Sequence, residues 1–208
     1  QEAAVGLSRR LKTQGGVLMY ADAPCPGDKI EVIILNASLE HALYEGEFDP
    51  ANPTSPICFA FADGEKVEER DMVPHAESQK RQHDDCHSCA HNKFGSAEKG
   101  RGKACKNQRH LILIHADSLK KKGGIGEAET VTAQVPPTSL PGWAKFVKQM
   151  EDLSGKPVYA FVTEISLTPR QQGGFFMNFD VKKEIDRKAM PEVFMRAQQA
   201  KQEAAERP

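Results

Sequence analysis

Between Lys80 and His110 (KRQHDDCHSCAHNKFGSAEKGRGKACKNQRH) the chain carries three of its five cysteines and four of its seven histidines. Cys86-x2-Cys89 is the spacing with which a tight turn grips one tetrahedral ion, and Cys105 follows after fifteen residues. Zn²⁺ in a structural site takes four protein ligands, so three thiolates leave one place to fill. Cys58 is the first candidate, because it ends a proline-rich loop, NPTSPIC, and opens the apolar run ICFAFA, which has the pattern of a buried strand. His91, His87 and His110 are the alternatives for that place, and free buried cysteines without a metal are the alternative to the site as a whole. A site closed by Cys58, Cys86, Cys89 and Cys105 has no open position for water, so the Zn²⁺ it predicts is structural. A disulfide framework fits less well. The cysteine count is odd, 208 residues can bury a core without staples, and no leader-like segment opens the chain, so the expected setting is a reducing cytoplasm.

From Lys80 to His110 there are eight Lys or Arg against three acids, in a chain whose formal net charge is −1. Three glycines and four basic side chains between Lys93 and Ala104 leave little for a core, and the stretch reads as a mobile basic loop clipped to the metal. Gathering charge of one sign in a neutral chain suggests an anionic partner, phosphate backbone being the commonest. Lys93, Lys99, Arg101, Lys103, Lys106 and Arg109 are the candidate phosphate contacts. A merely solvated charged loop is the alternative.

The phrases CFAFADG at Cys58 to Gly64, MVPHA at Met72 to Ala76, CHSCAHNKFGSAEKGRGKAC at Cys86 to Cys105 and VPPTSL at Val135 to Leu140 together resemble a family of bacteriophage-encoded early proteins. The resemblance covers about Tyr44 to Asp180, with the cysteine segment its most specific part. It implies a phage source, a host-cytoplasmic setting among replication and recombination functions, and a shared four-cysteine pattern. The chain is also loosely similar to OB-fold single-stranded DNA-binding proteins that carry a zinc ribbon.

The elements that must position these residues read as mainly β. Lys29 to Ala37, Ile57 to Ala62, His110 to Ala116, Glu129 to Val135, Lys156 to Thr168 and Gly174 to Val181 have strand patterns, the last two joined by a hairpin at Pro169 to Gly173. Leu140 to Leu153 reads as an amphipathic helix, with Thr138 or Ser139 as N-cap, Trp143, Phe146, Val147, Met150 and Leu153 as its apolar face, and Gly155 as its stop. Gln1 to Lys12 reads as a short peripheral helix broken by Gly15-Gly16. The segment from Lys182 to Pro208 reads as a charged helical tail, interrupted at Pro191 and able to dock on another subunit. Cys25, between two prolines, reads as an incidental thiol. The expected architecture is an OB-like barrel of about five strands in a single domain, with the zinc module 80–110 inserted and the tail 182–208 at the end.

Tyr44 and Phe48 lie in a loop where they either close a barrel end or offer faces to bases. Tyr159, Phe161 and Phe176, near Arg170, are the candidate stacking platform on the sheet, with core packing as the alternative. A groove from the basic loop to that face is the expected path of a single strand.

No P-loop, Rossmann glycine pattern, G-x-S-x-G elbow or H-E-x-x-H helix is present, which argues against an enzyme. His75-Ala76-Glu77 has the form of a zinc-deaminase element, yet the cysteine pair does not follow a proline and the third cysteine is unexplained. A nuclease built on His87, His91, Asn92 and His110 fits the order of residues poorly. No apolar run approaches the roughly 20 residues of a membrane span. The expected function is sequence-tolerant binding of single-stranded DNA in phage replication or recombination, with phage or host replication proteins as further partners. A factor that modifies or inhibits a host protein is the alternative.

Overall fold

The computed structural model describes residues 9–46, 54–171 and 173–205. The first eight residues of the expected N-terminal helix, and Phe48, lie outside the described residues. Two compact units are formed, one of Gln1–Ala37 with His110–Pro208 and one of Ser38–Arg109. The strands are β1 (Arg10–Gln14), β2 (Val17–Tyr20), β3 (Ala23–Pro24), β4 (Lys29–Leu43), β5 (Cys58–Asp63), β6 (Lys106–His115), β7 (Val131–Val135), β8 (Phe161–Pro169) and β9 (Phe175–Glu184). The helices are the single turn α1 (Gly124–Glu127), α2 (Leu140–Ser154) and α3 (Met190–Ala205).

The fold is mainly β, a curled half-barrel sheet with a helix at the C-terminal end. Among the described residues, the strands of the first unit follow the order β3-β2-β1-β7-β6-β4-β8-β9, eight strands where about five were expected. The surplus comes from the N-terminal segment. Residues Arg10 to Lys12, expected to be helical, belong to β1, with Leu11 turned inward between two exposed basic residues. Gly15 and Gly16 take φ of 59° and 88°, the two positive values that a two-residue hairpin turn demands, and so join β1 to β2. A residue with a Cβ would be strained at both, so a glycine pair that reads as a helix breaker acts as a hairpin turn.

The core of this unit lies between the sheet and α2. Trp143, Phe146, Val147 and Met150 are buried as their spacing predicts, while Leu153 is exposed. Trp143 meets Phe179 of β9 edge-on, with ring centroids 5.2 Å apart, and Phe146 lies 5.7 Å from the same ring. Gly155 ends the helix in the left-handed conformation, its N–H donating to Glu151. The other end departs from expectation. Ser139 occupies the N-cap position, but its hydroxyl accepts from the Met177 amide at 2.9 Å and makes no bond to the helix. The hydroxyl thereby ties the start of α2 to β9.

β9 runs to Glu184, so the first three residues of the expected tail are strand. Pro191 occupies the first turn of α3, where a missing N–H costs nothing, and does not interrupt the helix. Val193, Ala197, Ala200 and Ala204 form a buried stripe at spacings of four and three. α3 also docks by hydrogen bonds within its own unit, Glu192 accepting from Gly126 and Arg196 donating to Ala128. Among the described residues no helix is long and apolar enough to cross a membrane.

Ser139→Ala removes the acceptor of a buried strand amide and should lower unfolding free energy by about 1–3 kcal/mol in urea titration. Ser139→Asp, a good cap residue, should fail to restore it if the link to β9 is what matters. Full restoration would return Ser139 to a capping role.

Candidate metal centre and basic loop

All residues of this site belong to the second unit. β5 pairs antiparallel with the last part of β4, setting Leu43 opposite Cys58 and His41 opposite Ala60. Residues directly opposite share a face, and the face alternates with period two, so His41, Leu43, Cys58 and Ala60 all point the same way. The strand expected to end at Ala37 continues to Leu43, which is what carries His41 onto this face.

The cysteine pair is held by its own turn. Asp85 accepts from the backbone N–H of Ser88 at 2.6 Å and from its hydroxyl at 2.9 Å, closing the loop that contains Cys86. The Ser88 bonds hold the Asp85 carboxyl below its ordinary value. The Cys86 amide donates to Met72, and Asn92, itself buried, donates to the Cys86 carbonyl at 2.8 Å. The Cys105 amide donates to His91 at 2.9 Å, which returns the third cysteine to the first two.

As a result Cys58, Cys86, Cys89 and Cys105 all line one cavity of about 20 Å³, together with His41, His91 and Asn92. That is room for roughly one water-sized sphere. All four thiols are free of disulfides. Burial, and then the neighbouring Cys58 and Cys89, push the Cys86 thiol up to about 11. Burial, and then the other three cysteines, push Cys105 up to about 12. Among the described residues no three His, Cys, Asp or Glu side chains stand in a finished metal-holding group. The four thiols are brought to the lining of one cavity by three separate segments.

His41 was not anticipated as part of the site. It is 1 % exposed, and neither ring nitrogen has a hydrogen-bond partner. Burial pushes its pKa down to about 4, so the ring is neutral and presents one N–H and one lone pair to this apolar setting. A histidine in the otherwise apolar register of β4 is the signal that points to it.

The stretch from Lys93 to Ala104, expected to be mobile, is closed by hydrogen bonds. Gly95 N–H donates to both Arg101 and Gly102, and Ala97 N–H donates to Gly102. The Ser96 hydroxyl donates to His91 and Lys93 and accepts from the Ala104 amide at 2.9 Å. Lys93, Lys99, Arg101 and Lys106 are exposed around this core.

Two of the six expected phosphate contacts are turned inward. Lys103 meets the Glu69 carboxylate at 2.9 and 3.1 Å and Asn92 at 3.1 Å. Arg109 is 4 % exposed and donates to the carbonyls of Gly64 and Val67, each at 2.7 Å. Burial lowers its pKa to about 10, which still leaves it charged at neutral pH. Glu69 also accepts from Asn107, which in turn donates to Asn92, so one carboxylate joins the loop, the knuckle and β6.

The sheet candidates Tyr159, Phe161 and Phe176 lie in the first unit and do not form one platform. Val158–Ala160 is a turn rather than strand, so Tyr159 lies before β8 begins, edge-on to Phe194. Phe161 is 5 % exposed and belongs to the core. Phe176, 41 % exposed, lies near Arg170, whose guanidinium is 5.2 Å from its ring. Phe176 pairs with Thr168 and Phe161 with Glu184, so the two rings are seven β8 residues apart, about 23 Å at the usual strand rise. With Phe161 in the core, the three rings do not share one exposed face.

Burial alone raises the Glu69 carboxyl, but the Lys103 and Asn107 hydrogen bonds outweigh it and hold it below its ordinary value. A depressed carboxylate stabilises the fold in full above the ordinary Glu value, about 4.3, and that contribution is lost as pH falls through the folded value. Wild type should therefore melt above Glu69→Gln at neutral pH, and the gap should close on acidification below about pH 4. A gap independent of pH would show that the carboxylate charge is not what matters.

Compared with family models, with curated proteins and with solved structures, the chain gives no match.

Proposed function

We propose that this protein binds single-stranded DNA with little sequence preference, through a basic loop mounted on a structural Zn²⁺ held by Cys58, Cys86, Cys89 and Cys105. The observation that carries this reading is that four cysteines from three segments line one cavity of about 20 Å³, with the exposed cations Lys93, Lys99, Arg101 and Lys106 in or just beyond the loop those cysteines bound. Four thiolates close the coordination of Zn²⁺, so the ion supplies folding energy and no water for chemistry. The orphaned His41 ring fits the same reading. Its N–H would donate to a thiolate sulfur, as the groups behind metal ligands commonly do. The curled sheet is the kind of β architecture on which OB-like single-strand binders are built. The resemblance to phage early proteins points to replication or recombination in the host cytoplasm as the setting.

Deamination is less well supported. Glu77, which would have to shuttle the proton, is exposed, and neither it nor His75 lines the cysteine cavity. A second reading, a host-protein binder, has the adjacent exposed Phe194 and Met195 of α3 in its favour.

For the metal, elemental analysis of protein purified without chelator should give one Zn²⁺ per chain. Cys86→Ser should lose both the ion and thermal stability, and His41→Ala should keep the stoichiometry while weakening affinity about 10–100-fold. Wild type without zinc would overturn the metal assignment.

For the DNA, affinity for an oligonucleotide of about 30 nucleotides, longer than one OB fold covers, should fall with salt. Four outward cations at about −0.7 per neutralised phosphate bound the slope near −2.8. Lys99→Ala with Arg101→Ala should flatten it by about 1.4. No affinity at low salt would leave the protein-partner reading.

A further inference from the structure

A ring stands out on the basic loop that none of the expected stacking positions included. Phe94 is 83 % exposed, beside Lys93 and Gly95. A single exposed apolar side chain is ordinary on a protein surface. Three further observations set this one apart.

The first is that its backbone is fixed. Gly95 donates to two carbonyls across the loop, and the Ser96 hydroxyl bridges His91, Lys93 and Ala104. The ring is thus displayed from a closed turn next to the cysteine knuckle and does not trail from a free end. The second is what lies against it. The Lys103 ammonium is 5.3 Å from the ring centroid, and Lys103 is itself anchored on Glu69 and Asn92. That is cation–π distance, and it fixes one side of the ring while leaving the exposed area to a second partner. The third is the charge around it. Lys93 is the preceding residue, and the Gly95 bond to the Arg101 carbonyl brings Arg101 across the loop to the neighbour of Phe94.

An exposed π face on a loop that also displays Lys93 and Arg101 at its surface is complementary to one chemical unit, a flat base joined to phosphates. A paired base has its faces occupied by its neighbours in the duplex, so the ring selects unpaired strands.

We infer that Phe94 is the platform on which this protein stacks an unpaired nucleobase, flanked by Lys93 and Arg101 at the adjoining phosphates. The inference rests on the single-strand reading above. It moves the stacking role from the sheet to the loop, where the phosphate contacts already are. DNA and RNA single strands offer the same base face and the same phosphate, and the test separates them.

Fluorescence anisotropy with the full, zinc-loaded chain would use labelled thymidine and uridine strands of about 30 nucleotides, and a duplex of equal length. Phe94→Ala should weaken single-strand binding by about fivefold to somewhat over a hundredfold, the range that loss of one stacked ring implies. The salt slope should not change, because no phosphate contact is lost. Phe94→Tyr should retain affinity and Phe94→Leu should not, since a leucine supplies apolar area without a π face. Duplex binding should be the same for wild type and Phe94→Ala. The strand that binds wild type more tightly, and loses more on Phe94→Ala, is the natural one. Because the side chain is so exposed, melting temperature and zinc content should match wild type in every variant. If wild type binds single strands and Phe94→Ala binds them equally well, the platform is wrong and the single-strand reading stands. Equal losses on single strand and duplex, or full rescue by Phe94→Leu, would also overturn stacking. If wild type binds neither single strand, the underlying reading fails, and this inference with it.

Discussion

Four thiols around one small cavity form the constraint on which the second unit depends. Burial and mutual proximity both oppose ionisation of the Cys86 and Cys105 thiols, and only a cation among them would reverse that preference. Of the three segments that supply the four thiols, the two bearing Cys86, Cys89 and Cys105 are largely polar, and Cys58 belongs to the apolar strand β5. Leu39, Ala60, Met72 and Cys86 form a buried apolar cluster here, with Ala62 and Val67 packed against it. In small metal-bound modules, metal energy and folding energy become one quantity. The proposed Zn²⁺ would do for this unit what the packing of α2 on the sheet does for the other.

Around that centre the cations divide into two sets with different roles. Lys103 and Arg109 satisfy Glu69 and two loop carbonyls, and removing either would strand a partly buried acceptor. Lys93 and Lys106 donate to backbone carbonyls nearby yet keep their ammonium groups at the surface. The inward set gives the loop its shape, and the outward set gives it its field. Counting charges along the segment cannot separate the two sets, because direction is decided by partners distant in sequence.

How much of this was legible follows from how local each determinant is. The face of α2 and its glycine stop are written within one helix, and all of it but Leu153 appears as expected. The strand at Cys58 is bounded by its own prolines and is also found. β1 was misread because five residues with one inward leucine satisfy either period, and only pairing with β2 and β7 decides between them. Tyr159 and Phe161 looked like one strand face because alternation does not show where a strand starts. Pro157 precedes a turn that takes Tyr159 out of register. Lys103 and Arg109 bond to residues 34 to 45 positions away, a distance over which no sequence pattern reports direction. Phe94 was legible only as a member of a glycine-rich loop, since exposure depends on what fails to cover a ring.

The hydrogen bonds that close the loop bear on binding as well as on folding. A mobile loop would have to lose its freedom on meeting a strand, at about 0.5–1.5 kcal/mol for each side chain fixed, and a few surface phosphate contacts would barely offset that. Here Gly95, Ser96 and Ala104 have fixed the backbone, and Lys103 has fixed one side of the Phe94 ring before any ligand arrives. The backbone part of that ordering is met in folding the module, and the exposed lysine and arginine side chains would still carry theirs on binding. On the proposed reading, four phosphates and one base would form a small footprint for one chain.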